Sequence, residues 1–144
     1  MDTFVEREPV TVLRLKADMR GKGPSEAFHI LEGRLPTLRG RRFYGAIRIL
    51  ETGPEYYACV ERQPGEVAAD LEVEEAELPG GLYVRRKLAN WQALVDAGLL
   101  PGVGREMAQT YWIDPSRPEL EFYRSMNELQ LLMPVLSRET RRRS

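Results

Sequence analysis

The chain has one cysteine, Cys59, and one histidine, His29. A lone cysteine excludes an internal disulfide. One Cys with one His also leaves a structural zinc site, or a multi-histidine catalytic centre, short of ligands. A Ser-His-Asp or Cys-His relay would have to use His29, which lies in a helix-like stretch with no nucleophile beside it and reads as a half-buried helix residue. No apolar run approaches the length that spans a bilayer, about 20 residues. The opening MDTFVEREPV lacks the basic and apolar segments of a secretory signal, so a cytoplasmic location is expected. A net charge of −1 argues against a molecule built to hold nucleic acid. Any chemistry must then come from carboxylates, phenols, indoles and the backbone, with no metal and no cofactor called for.

What is present suits one domain with a sizeable core: 144 residues, 42% hydrophobic and 30% charged. Glu8 to Ala17 predicts a first strand, with an alternation that slips near Leu13. Gly21 and Gly23 mark a loop. Pro24-Ser25-Glu26 predicts a helix start with Ser25 as N-cap, and Ala27, Phe28, Ile30, Leu31 and Leu35 form its apolar stripe. Pro36 ends it. Arg39 to Arg42 reads as a solvated basic loop. Phe43 to Leu50 and Tyr56 to Glu61 predict a hairpin around Thr52-Gly53-Pro54. Leu71 to Leu78, with Glu72, Glu74, Glu75 and Glu77, reads as a half-exposed edge segment or loop. Leu82 to Leu88 predicts a further strand. Trp91 to Leu99 and Gly104 to Trp112 read as helical pieces interrupted by Pro101, Gly102 and Gly104.

The most informative stretch is Glu119 to Val135, ELEFYRSMNELQLLMPV, which predicts two strands and a turn. Leu120 and Phe122 share one face, which can pack on a helix; Glu121 and Tyr123 share the other. A carboxylate in mid-sheet needs a cation, a donor or water, because an unpaired buried charge costs several kcal/mol or shifts its pKa. Glu121 is thus either a site residue or an exposed glutamate on a solvated face.

The order strand, helix, strand, strand occurs twice, without residue-level identity. It predicts an α+β fold of two pseudo-repeated units, residues 8–62 and 71–136 of a single 1–144 domain. Their strands would form an antiparallel sheet with helices on one side and a ligand cleft between the units. Residues 137–144 read as a mobile basic tail.

Gly81-Leu82-Tyr83, Trp112 at a helix end, Leu120-Glu121-Phe122-Tyr123 and Pro134-Val135 follow one another in an order that resembles the GyrI-like small-molecule-binding superfamily. Its members include the effector-binding domains of multidrug-responsive transcription regulators. Phe43-Tyr44-Gly45 and Tyr57-Ala58-Cys59-Val60-Glu61 resemble the hairpin of that family's first half. The resemblance covers most of residues 8–136. It implies a pair of strand–helix–strand–strand units (an SHS2 pair) and an acidic residue in an aromatic-lined pocket. With no room before residue 8 for a helix-turn-helix, the stand-alone form is expected.

Three functions follow from the resemblance. The first is binding of small lipophilic, often cationic, organic molecules, with Glu121 as the anion and Tyr123, Tyr83, Trp91, Trp112, Tyr44 and Tyr57 as candidate walls. Aromatic faces attract cations by roughly 0.5–2 kcal/mol each; core packing is the alternative for every one of these rings. The second is metal-independent hydrolysis of cyclopropanoid or similar electrophilic toxins, with Glu121 as general base and Tyr123 as hydrogen-bond donor. The third is a protein-binding inhibitor module, since similar proteins include an inhibitor of DNA gyrase; the acidic Glu72 to Glu77 segment would serve it. The partner expected first is a small organic molecule, with no nucleic acid and no membrane.

Overall fold

The computed structural model describes residues 1–141. The opening residues form a strand of their own, β1 (Asp2–Arg7), ahead of the first expected strand, β2 (Val10–Lys16). The chain is α+β and its strand pairs are antiparallel. It divides into two compact units: Pro9–Pro79, and Met1–Glu8 with the chain from Gly80 onward.

In the Pro9–Pro79 unit, β2 is followed by α1 (Gly23–Arg34), β3 (Phe43–Leu50), β4 (Gly53–Glu61) and β5 (Glu74–Leu78). The strand order is β3-β4-β2-β5. Helix α1 starts one turn earlier than Ser25 would allow as a cap. Lys22 occupies the N-cap without a side-chain bond, and Pro24, which needs no N–H partner, fills the first turn. Leu35 is extended, as the residue before Pro36 should be. Ala27, Leu31 and Leu35 bury against Leu13, Tyr56, Ala58 and Val60. The slip of alternation near Leu13 has a simple cause: Val12 and Leu13 are both fully buried.

Two expectations are corrected in this unit. His29 is exposed on α1 rather than half-buried. Arg41 is not a solvated loop charge: its side chain is 0% exposed, gripped by both carboxylate oxygens of Glu66 at 2.7 and 2.5 Å. The acidic segment resolves into a short 3-10 turn (Ala68–Leu71) and β5, an edge strand of this unit. Glu72 pairs with Arg34, Glu74 with Arg14 and Glu75 with Arg62.

The second unit contains β1, β6 (Gly81–Ala89), α2 (Trp91–Asp96), α3 (Leu100–Thr110), β7 (Tyr111–Ile113), β8 (Glu119–Ser125) and β9 (Glu128–Thr140). Its strands run β8-β9-β6-β1, with β7 also pairing β9. Within each unit, therefore, the strand before the helix lies beside the last strand of the repeat and carries an added edge strand on its other side. Pro101 opens α3, where proline is tolerated, and Gly102 and Gly104 lie inside that helix rather than breaking it. Tyr111 and Trp112 are strand residues, not helical ones, and Trp112 is 46% exposed. The tail expected to be mobile is strand as far as Thr140; residues 142–144 lie outside the described residues.

Met107 and Tyr111 pack on Val84, Leu129, Leu131, Met133 and Val135 to make this unit's core. Asp2 fastens β1 to it. Its carboxylate accepts bonds from Arg86 at 2.7 and 2.9 Å and from the Tyr111 hydroxyl at 2.5 Å. Burial, aided by the bond to Asp2, pushes the Tyr111 hydroxyl up to about 12. Among the described residues no helix is long and apolar enough to cross a membrane.

Candidate functional site

Alternation along β8 places Glu119, Glu121 and Tyr123 on one face. Opposite Glu121 and Tyr123 on β9 stand Leu131 and Leu129, and both leucines pack with Met107 of α3. The helix thus covers the acid-bearing face. Leu120 and Phe122, paired with Leu132 and Gln130, point to the other side. This reverses the expected assignment, in which the Leu120/Phe122 face met the helix. The reason lies in β9: the side chains facing α3 are Leu129, Leu131, Met133 and Val135, and the register ties Glu121 to that row.

Glu121 is consequently only 6% exposed. The Tyr123 hydroxyl donates to its Oε1 at 2.9 Å. Trp91, the first residue of α2, meets the Tyr123 ring edge-on, with centroids 5.2 Å apart and planes at 70°. The indole N–H donates to the Ser125 carbonyl at 3.1 Å, which fixes the ring at the end of the same strand. Three residues expected in the site, Glu121, Tyr123 and Trp91, are therefore brought together.

A fourth was not singled out. Glu119 starts the same row, and its side chain runs against α3 where Gly104 stands. A Cβ on Gly104 would fall 2.9 Å from Glu119 Oε1, so the glycine provides the space. No hydrogen bond or ion pair holds Glu119 among the described residues. Burial, and then the charge of Glu121, push its carboxyl up to about 7. The signal in the sequence was the i, i+2, i+4 spacing Glu119, Glu121, Tyr123, which puts all three on one face once β8 is a strand.

The remaining aromatics are placed otherwise, and three of them already face an arginine. Tyr83, on β6, is fully buried and alternates with Val84, so it points away from the helices. The Arg117 guanidinium lies 4.8 Å from its ring centroid. That arginine donates to Asp114 at 2.9 Å and to the carbonyls of Gly80, Leu82 and Val135 at 3.2, 3.0 and 3.0 Å. Burial raises the Tyr83 hydroxyl above its usual range, with Arg117 opposing. Trp112 has Arg141 5.1 Å from its ring. Tyr57, in the Pro9–Pro79 unit, lies under Arg14 at 3.8 Å. Tyr44, in the same unit, is 1% exposed and stands opposite Cys59 across β3 and β4.

An open hollow of about 380 Å³, lined by Pro9, Val10, Thr11, Glu61, Arg62 and Pro64, contains none of these rings. Burial pushes the Cys59 thiol up to about 12, which leaves it a poor nucleophile. No cluster of three or more His, Cys, Asp or Glu residues suited to a metal occurs among the described residues.

No family model matches the chain, and no curated protein matches it in sequence. Solved structures do resemble it. An integron cassette protein from the mobile metagenome of Vibrio cholerae matches with a TM-score of 0.69, over 93% of this chain and 95% of that one, at 14% identity. A protein solved bound to tetraphenylphosphonium matches at 0.58, over 94% and 93%, with 12% identity. A hydrolase from Listeria innocua matches at 0.56, over 93% and 91%, with 11% identity. At such identities the likeness is one of fold.

Proposed function

We propose that the chain is a GyrI-like small-molecule-binding domain that takes lipophilic, cationic aromatic molecules at Glu121, Tyr123 and Trp91. The observation that carries this reading is the buried Glu121 carboxylate, set on the helix-covered face of β8 beside two aromatic side chains. A carboxylate in such surroundings is poorly solvated, so an organic cation that brings its charge into contact gains more there than at the surface. Aromatic walls add burial worth roughly 25 cal/mol per Å² and attraction to the cation. The reading is supported by a fold shared with a protein that holds tetraphenylphosphonium.

The test is a fluorescence titration with tetraphenylphosphonium on a Trp112→Phe background, which leaves Trp91 as the sole indole reporter. Saturable quenching that weakens tenfold or more in Glu121→Gln, about 1.4 kcal/mol, is the expected result. Equal quenching in both proteins would remove Glu121 from the site.

Hydrolysis is the second reading, favoured by the hydrolase among the structural neighbours. Against it, the Tyr123 hydroxyl, which this reading needs as a donor to the reacting group, already donates to Glu121 at 2.9 Å. The inhibitor-module reading has less support, because Glu72, Glu74 and Glu75 are already matched by Arg34, Arg14 and Arg62.

A further inference from the structure

We infer that the open hollow of the Pro9–Pro79 unit is a second binding site, in which Glu61 takes the primary ammonium group of a short alkyl amine. The inference goes beyond the proposed function: it concerns another unit, other residues and another kind of cation.

The hollow lies where two antiparallel strands end together. β2 starts at Val10 and β4 stops at Glu61, whose register partner is Val12. One further rung, from the Arg62 N–H to the Thr11 carbonyl at 3.0 Å, closes the ladder. Pro9 precedes that end on one strand and Pro64 follows it on the other. Neither has an N–H to extend the ladder, so the two chains leave a space instead of a further rung. That space measures about 380 Å³ and is lined by Pro9, Val10, Thr11, Glu61, Arg62 and Pro64. Small-molecule sites run from roughly 300 to 1,000 Å³, so this one suits a small ligand.

The hollow is poor in donors. Pro9 and Pro64 have no N–H to offer. The Glu61 N–H is used by the Arg42 carbonyl at 2.9 Å, and the Arg62 N–H by Thr11. An anion would therefore find little to hold it along the backbone.

The side-chain charges point the same way. Arg62 is already matched: its Nε donates to the Glu66 carbonyl at 2.9 Å and stands 3.1 Å from Glu75 Oε1. Glu61 is half-buried, and no hydrogen bond or ion pair holds its carboxylate among the described residues. The hollow thus carries one unmatched negative charge. A primary ammonium group, with three donors and no acceptor, complements a carboxylate in a donor-poor place. Pro9, Val10 and Pro64 supply apolar surface for the alkyl chain attached to it. No aromatic ring lines the hollow, so a bulky aromatic cation has nothing to stack on there.

The experiment is a titration of the full chain with butylammonium chloride at pH 7, followed by backbone amide NMR. Butyltrimethylammonium, which keeps the charge without N–H donors, and butanol, which keeps the chain without the charge, run beside it. Saturable shifts at the amides of Thr11, Glu61 and Arg62 are expected with butylammonium, with an affinity on the order of 1 mM. Both comparison compounds should bind at least fivefold more weakly, and Glu61→Gln should weaken butylammonium about fivefold. No saturable shift at these amides overturns the site. Equal binding of butyltrimethylammonium overturns recognition of the N–H donors, and equal binding in Glu61→Gln removes the carboxylate from it. The three-compound comparison needs only wild type, so a variant that fails to fold does not spare the idea. Tetraphenylphosphonium binding is read separately, at Trp91, so failure of the proposed function and failure of this site are distinct results.

Discussion

The Tyr123 hydroxyl and the Glu121 carboxylate, two residues apart on β8, meet at 2.9 Å beneath helix α3. Neighbouring i and i+2 side chains of a strand share a face but stand well apart at their Cβ atoms, so the phenol must lean along the strand to reach the acid. In leaning, it also meets Trp91 edge-on. One tyrosine therefore connects the buried charge to the start of α2.

Removing that hydroxyl should be felt as a loss of stability. Tyr123→Phe is expected to lower the unfolding free energy by about 1–2 kcal/mol at pH 7, because a buried carboxylate loses a donor while the ring packing stays. Urea denaturation measures it. An unchanged midpoint would mean that solvent replaces the bond without cost.

The pH dependence of stability should carry the signature of Glu119. Its carboxyl is raised from 4.5 in the unfolded chain to about 7 in the folded one. The folded state therefore binds more protons between those values, and the contribution falls as pH rises through them. Glu119→Gln should remove that decline, so that the variant gains on wild type steadily from pH 4.5 to pH 7 and then holds its lead. Urea midpoints of both proteins across this range test it; parallel profiles would contradict the shift.

Arg117 should prove a structural residue of high cost. Its guanidinium serves three backbone carbonyls, Asp114 and the face of Tyr83 at once. Asp114, held down to about 2 by Ser116 and Arg117, stays charged to match it. Arg117→Ala is expected to cost about 3 kcal/mol or more, since buried acceptors lose their donor together. Arg117→Lys should recover little, because one ammonium cannot reproduce a planar fork. Substantial rescue by lysine would reduce Arg117 to a point charge. The Asp114 contribution is present above the unfolded value of 3.8 and is lost as pH falls towards about 2.

Rings that already face an arginine should matter little for an incoming cation. Tyr57→Leu, which removes the ring under Arg14, is expected to leave tetraphenylphosphonium affinity within about twofold. Trp91→Leu should weaken it about tenfold, the size of one desolvated cation–aromatic contact. Calorimetric titration of both variants separates the two rings. The reverse ranking would move the site away from Trp91.

Much of the fold was legible from local pattern. The hairpin β3–β4 and strands β6, β8 and β9 follow from alternation and turn residues, and α1 from its stripe and Pro36. That Glu121 and Tyr123 share one face also followed, from alternation along β8. Other features escaped because they depend on partners distant in sequence. β1 is short and mixed, and it holds through Asp2 to Arg86 and Tyr111, 84 and 109 residues away. Arg41 reads as solvated because the carboxylate that encloses it, Glu66, stands 25 residues further along the chain. Tyr111 and Trp112 had helix-compatible spacing, yet pairing with β9 drew them into a strand.

The sequence by itself determined which residues share a face: period-two alternation is a property of the strand alone, so Glu119, Glu121 and Tyr123 were bound to stand together. It did not determine which face a helix would cover. Leu120 and Phe122 were the apolar pair and the natural candidates, but hydrophobicity along one strand competes with that of its neighbour. The register of β9, with Leu129, Leu131, Met133 and Val135 turned towards Met107, outweighed them. That tertiary choice put two carboxylates under α3, and it turned an ordinary-looking glutamate at position 119 into a group that titrates near neutrality.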